Sequence, residues 1–332
     1  MRFYYLTITL LLLALNLSAQ TSDAIELSSE QVALIQIQGT KGVQTVLSEL
    51  GIQIQDLQQI EEFASESVSQ LINGSSNTET ISEVTSAITA SLAEIALANN
   101  VEPNYAIEYV SAGAAHGLIK SNSTNMTQAI QALSKGSIQG AFQFSKSNGF
   151  DILKSSSAAA SGSLAGVIEA SNDLGLDIIR NVKASASGLV IGTIISAEEL
   201  NSTVFKTLTA TTEGIAEAAI EASVKVNIDL IPQISSASLG AGENAARAAT
   251  TLNLSPRNTI EAIKEGLRKG SEKSLPGEGS NIRITIDPIE DIDLVEVVEV
   301  FEAIEASSSE TIPIIETPFM DDPTVRQVSP PV

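Results

Sequence analysis

Apolar side chains recur along this chain at a fixed step. Ile130, Val182, Leu208, Ile234 and Ile260 hold one position of a 26-residue cycle, with Ser156 as the exception. Phe142, Ile168, Ile194 and Ile220 hold another. Buried, such side chains contribute roughly 1.5–3 kcal/mol each. The cycle therefore predicts a tandem array of amphipathic helices, each offering the same rows to a common core. The glycines keep the same time: Gly136, Gly162, Gly188, Gly214, Gly240 and Gly266 stand 26 apart.

A second series predicts the corners. Gly149, Gly175, Asn201, Asn227 and Asn253 are residues that readily adopt left-handed backbone angles. Each is followed by Phe150, Leu176, Ser202, Ile228 or Leu254, and then by a good helix N-cap: Asp151, Asp177, Thr203, Asp229 or Ser255. A left-handed stop, a contact residue and a cap describe a very short helix–helix joint. Pro256 fits the first helical position after Ser255. Connections this short make successive helices antiparallel.

Mid-helix glycine costs about 1 kcal/mol relative to alanine. Rows such as Ala158/Gly162/Gly166/Ala170 and Ala184/Gly188/Gly192 repeat that cost unit after unit. Close backbone contact between adjacent helices would offset it, because small side chains let the axes approach. A break at the first glycine of each pair would instead give two short helices per unit. The residues after that glycine (Ser137, Ser163, Leu189, Ile215, Ala241, Leu267) are mostly poor caps, which favours one unbroken helix.

Earlier in the chain the repeat is worn. Gly42 falls on Gly166 and Gly51 on Gly175, Gly113/Gly117 restate the glycine pair, and Asn100–Pro103 matches Asn253–Pro256. The predicted fold class is all-α: tandem helical repeats of about 26 residues, antiparallel with Gly/Ala packing seams, in an up-down array or α-solenoid. The repeat domain spans 20–275. It precedes an acidic, Pro-containing tail, 276–332, that is partly disordered. In that tail Ile282, Ile284 and Ile286 alternate like a short strand. Leu294, Val297, Phe301 and Ile304 mark one side of an acidic helix over 291–306, suited to capping the last repeat.

Residues 1–19 read as a secretory signal: Arg2, an apolar run from Leu6 to Leu17, then Ser18-Ala19. An uncleaved anchor is the alternative. The expected location is periplasmic or extracellular. No cysteine is present, so the chain holds together by burial alone. Composition narrows the function. A net charge of -22 repels nucleic acid and anionic lipid. Aromatic residues, at 4 %, are too few for the walls of an ordinary ligand pocket. The uncharged run between Lys183 and Glu198 is shorter than the roughly 20 residues that span a bilayer.

Catalytic material is sparse. His116 is the only histidine and sits inside the Gly113–Gly117 pair, where packing accounts for it better than acid–base work. There is no Gly-x-Ser-x-Gly elbow, no His/Cys zinc cluster and no phosphate loop. Glu290, Asp291 and Asp293, and Asp321-Asp322, are weak calcium candidates without an EF-hand frame. Asn73, Asn122, Asn125 and Asn201 lie in glycosylation sequons. Lys154, Arg180 and Lys206 share a position near helix starts, against the macrodipole, and read as a solvated rim. No residue is assigned as catalytic, cofactor-binding or metal-binding, and no cofactor is expected. The sequence favours a non-enzymatic exported scaffold or protein-interaction module of the bacterial envelope or exterior. The alternative is a membrane-associating or pore-assembling protein built on small-xxx-small helices. An enzyme working through carboxylate pairs, as in glycoside hydrolysis, lacks the aromatic platforms sugars need.

Overall fold

The computed structural model describes residues 28–38, 40–49, 56–72, 77–121, 125–200 and 203–274. These residues form helices and short turns: α1 (Ser29–Gln38), α2 (Thr40–Glu49), α3 (Leu57–Ile72), α4 (Thr78–Ala98), α5 (Pro103–Lys120), α6 (Met126–Asn148), α7 (Ile152–Asp173), α8 (Ile178–Glu199), α9 (Val204–Lys225), α10 (Leu230–Thr251) and α11 (Pro256–Ser274). From α6 to α11 successive helices start 26 residues apart. All run unbroken through their glycines, so one helix per unit is correct. The signal segment, the tail with its strand and helix, Gly51 and Asn201 lie outside the described residues.

The joints follow the predicted chemistry. Gly149, Gly175, Asn227 and Asn253 have φ of 71°, 63°, 56° and 56°, and Asn100 has 60°. At Gly175, the Leu176 amide donates to the Ser171 carbonyl (2.8 Å) and the Gly175 amide to that of Asn172 (3.1 Å). That pair of bonds is the Schellman closure, which satisfies carbonyls the helix end leaves free. Asn227 and Asn253 repeat it. The carboxylates of Asp151, Asp177 and Asp229 then accept first-turn amides of the next helix, and Ser255 Oγ accepts from Asn258 N. Thr203 departs from expectation: its side chain makes no cap bond.

Helix-to-helix packing corrects one expectation. The glycine seams do not join consecutive antiparallel helices. They join next-but-one helices, which run parallel. Gly113 and Gly117 of α5 sit on Glu61 and Ser65 of α3, and Gly162 and Gly166 of α7 on Glu108 and Ala112 of α5. Gly214 of α9 sits on Ser157 of α7, and Gly266 and Gly270 of α11 on Thr209 and Glu213 of α9. Gly136, Gly188 and Gly240 do the same for α4, α6, α8 and α10. The helices thus form two layers, an odd one (α3, α5, α7, α9, α11) and an even one (α2, α4, α6, α8, α10), and the chain crosses between layers at every joint. Gly42 is an exception, lying against Leu34 and Ile35 of the preceding helix α1.

The reason is geometric. A four-residue joint turns the chain back but leaves room between consecutive helices for the large apolar rows, which become the interlayer core: Ile130, Val182, Leu208, Ile234 and Ile260, all buried. Parallel neighbours within a layer then meet through the flank that carries the small residues. There a glycine Cα lies against a carbonyl oxygen, a contact worth about 0.5–1 kcal/mol that offsets glycine's helix cost.

Serine and threonine fill much of this core. Many hydroxyls bond back to their own helix, as Thr85 Oγ1 to the Ile81 carbonyl (2.8 Å) and Thr193 Oγ1 to that of Leu189 (2.8 Å). Ser134 does more. Its Oγ lies 3.1 Å from Ser163 Oγ and 2.9 Å from Ser185 Oγ, tying α6 to α7 and α8. All three serines are fully buried. Ser134→Ala is expected to cost about 1 kcal/mol, since two hydroxyls lose a partner they cannot replace with water. Urea unfolding measures it; an unchanged midpoint would show the serines to be energetically idle.

Candidate functional site

The outward face of the odd layer carries an open groove of about 1180 Å³ across α5, α7, α9 and α11. Seven carboxylates and four lysines line it. The arrangement follows from the crossing of layers: residues 26 apart fall in opposite layers, whereas residues 52 apart return to the same one. Lys154 and Lys206 therefore both border the groove, while Arg180 belongs to α8 in the other layer. All three are exposed, as a solvated rim requires. By the same rule Glu213 and Glu265 align, as do Glu217 and Lys269, and Glu221 and Lys273. The signal was present in the sequence, but it shows only when the repeat is read at twice its length.

Ion pairs link the face from helix to helix. Lys273 Nζ bonds Glu217 Oε1 at 2.7 Å, joining α11 to α9, and Lys225 Nζ bonds Glu169 Oε2 at 2.8 Å, joining α9 to α7. The acid is the sheltered partner in both: Glu217 is 14 % exposed and Lys273 64 %. Burial accordingly pushes the Glu217 carboxyl above its ordinary range, outweighing the attraction of Lys273. Lys273, mostly in water, is raised chiefly by its bond to Glu217. The two directions disagree about the strength of the pair. Loss of water around the carboxylate explains the difference and marks this as a modest, partly screened bridge.

Glu108, deeper in the groove wall, is also raised by burial, and the Ser161 hydroxyl (3.0 Å) opposes that only in part. Its folded value lies above its unfolded one, so folding favours the protonated acid. The resulting stabilisation is complete below the ordinary carboxylate range and lost as pH rises through the raised value. Glu108→Gln keeps the acceptor for Ser161 and removes the charge. It is expected to melt higher than the parent at pH 7 and to lose that advantage at pH 3. Equal melting temperatures at pH 7 would contradict the burial argument.

His116 lies on α5 farther along the same face, with Nδ1 3.8 Å from Glu61 Oε1. Burial lowers the imidazole and raises the Glu61 carboxyl, so neither gains from charging against the other. Nε2 is buried without a protein hydrogen-bond partner. This is a packed histidine, tight against the Gly113 and Gly117 seam. Among the described residues no group of three or more His, Asp or Glu is placed to hold a metal ion. Glu290, Asp291, Asp293, Asp321 and Asp322 lie outside the described residues, as do Asn73, Asn122 and Asn201; Asn125 precedes α6.

Two helices, α4 and α8, are long and apolar enough to cross a membrane by length and composition, each with a window of mean hydropathy 1.3. In α8 the uncharged run itself is still short, from Ala184 to Ala197, and any 18-residue window in this helix includes charged residues beside that run. Of each window, 67 % is buried. Comparison with family models, curated proteins and solved structures finds no match for this chain.

Proposed function

We propose that this chain is a non-enzymatic, exported scaffold of 26-residue helical units, a protein-interaction module of the bacterial envelope or exterior. The observation that carries this reading is the groove on the odd layer. It is open, it crosses four helices, and carboxylates outnumber lysines in its lining. Such a surface suits an extended basic segment of a protein partner, laid across successive helices with its cations against the acidic rungs. The groove is open to solvent along its length, which favours a bound chain over an enclosed small substrate. The chain's net charge of -22 works against nucleic acid and anionic lipid as partners.

A direct test compares the intact chain with Glu213→Lys/Glu217→Lys/Glu221→Lys, using proteins captured from periplasmic and culture fractions. The parent is expected to hold a basic partner that elutes as salt is raised, and the triple variant to bind it at least 10-fold more weakly. Equal retention by both chains would remove the groove from the account. A second reading, membrane association, draws on the apolar windows of α4 and α8. It requires those helices to leave their neighbours. Liposome flotation separates the two: protein that stays at the bottom of the gradient excludes it.

A further inference from the structure

We propose that the rim formed by the α7–α8 and α9–α10 joints is the surface through which this chain pairs with a second copy of itself. Odd helices end and even helices begin at this rim. Two bonds set the joints side by side. Lys225, at the end of α9, reaches Glu169 near the end of α7 (2.8 Å), and Ser236 of α10 donates to the Ile179 carbonyl of α8 (2.6 Å). Leu174, Leu176 and Ile179 stand exposed at one joint, Val224 and Ile231 at the other. Those are five of the seven exposed large apolar side chains among the described residues. Apolar residues scattered singly over a surface need no explanation, whereas a group gathered at one edge marks a contact site.

The joints do not need these side chains. The position of Val224 is Lys146, Asn172, Glu198 and Thr250 in other units, and that of Ile231 is Arg257 in the next. Yet Val224 is 63 % exposed and Ile231 56 %. The opposite rim, where even helices end and odd ones begin, also holds apolar joint residues, but it shelters them. Phe150, Ile152, Leu200, Val204, Leu252 and Leu254 are all partly buried there. Among the described residues only Tyr105, which lines the groove, is a large apolar side chain exposed on that side.

Charge selects the occupant. Over 173–180 and 224–231 three acids (Asp173, Asp177 and Asp229) stand with two bases (Arg180 and Lys225), a net of -1 against -22 for the whole chain. Two copies repel one another across most of their surface and least across this rim. A basic partner would be drawn to the acidic groove instead. A bilayer would have to take in the carboxylates that alternate with the apolar residues along both joints, which is costly. The two joints also repeat each other at a distance of 52 residues, Leu176 matching Ile228 and Ile179 matching Ile231. A two-fold axis between them sets each joint on the other joint of the second copy, so one patch serves both sides. A standard interface covers roughly 800 Å² on each partner. Five side chains supply the centre of such a contact, so the pairing is weak and grows with concentration.

Sedimentation equilibrium of the full-length chain is expected to show its mass doubling as concentration rises. Val224→Glu/Ile231→Arg takes both new residues from the matching positions Glu198 and Arg257 and leaves the net charge unchanged. It should weaken the dimer at least 10-fold while the urea midpoint stays where it was. The chain has no cysteine, so a crosslink can be read cleanly. An equimolar mixture of Leu174→Cys and Val224→Cys chains should form the mixed disulfide at least 10-fold faster than Leu174→Cys mixed with Asn148→Cys, whose cysteine sits on the opposite rim. A parent that stays monomeric at every concentration, a variant that dimerises as tightly as the parent, or equal crosslinking rates would overturn the assignment. Flotation of the parent with phosphatidylcholine vesicles, lost in Val224→Glu/Ile231→Arg, would give the rim to lipid and overturn it equally.

Discussion

Gly162→Leu is expected to destabilise the chain by at least about 3 kcal/mol. Gly162 lies mid-helix in α7 against the Glu108 carbonyl of α5, and an added Cβ would land on that oxygen and its carbon. The obstacle is backbone in the middle of a helix, so no rotamer change relieves it. The two axes must separate, and the separation breaks contact along both glycines of the pair, since Gly166 rests on Ala112 of the same helix. Even Gly162→Ala should destabilise, although alanine is the better helix former by about 1 kcal/mol. Gly192→Ala is the useful contrast. There the added Cβ would lie 2.9 Å from the Lys135 oxygen, a milder overlap, and the cost should be smaller. Urea midpoints with unchanged slopes should put the greatest loss at Gly162→Leu, the next at Gly162→Ala and the least at Gly192→Ala. A chain that tolerates Gly162→Leu would mean the layers are held by something other than axis-to-axis contact.

The seam also shows where sequence reasoning succeeds and where it stops. Gly162 was legible as a contact residue because its helix cost demanded a return. Which helix supplied that return was not legible. A 26-residue cycle looks the same whether a glycine meets the preceding helix or the one before it. Only the placement of the large rows decides: Val182 and Leu208 claim the space between consecutive helices and leave the small flank for parallel neighbours. The groove was hidden for the same reason. Glu213 and Glu265 are ordinary surface acids until the layers are known to alternate, and then they line the same groove. The serine triad at Ser134 had no signal at all, because its members come from three helices and serine is abundant throughout. His116 is the opposite case: its place between two seam glycines is plain in the sequence, and most of its side chain is buried there.

The corners make the second large prediction, and it separates conformation from contact. Asn227→Val is expected to cost about 2–3 kcal/mol, whereas Asn227→Gly should stay within a few tenths of the parent. Asn227 holds φ of 56°, which a β-branched residue tolerates poorly. Its amide donates to the Val224 carbonyl at 3.2 Å, and the next amide, of Ile228, donates to that of Ser223 at 3.0 Å. Valine must either accept the strained angle or move to a relaxed one, which gives up both bonds. A relaxed angle would also redirect the chain before Asp229, whose carboxylate accepts the Ile231 amide at 3.1 Å to open α10. Glycine reaches the angle freely, and its extra freedom in the unfolded chain is its only penalty. Because the joint sets where α10 enters its layer, the valine variant should also loosen the Gly240 seam with α8, seen as faster amide exchange in both helices. If valine and glycine unfold at the same urea concentration, the left-handed turn is not what fixes the crossing between layers, and the apolar rows alone determine the path of the chain.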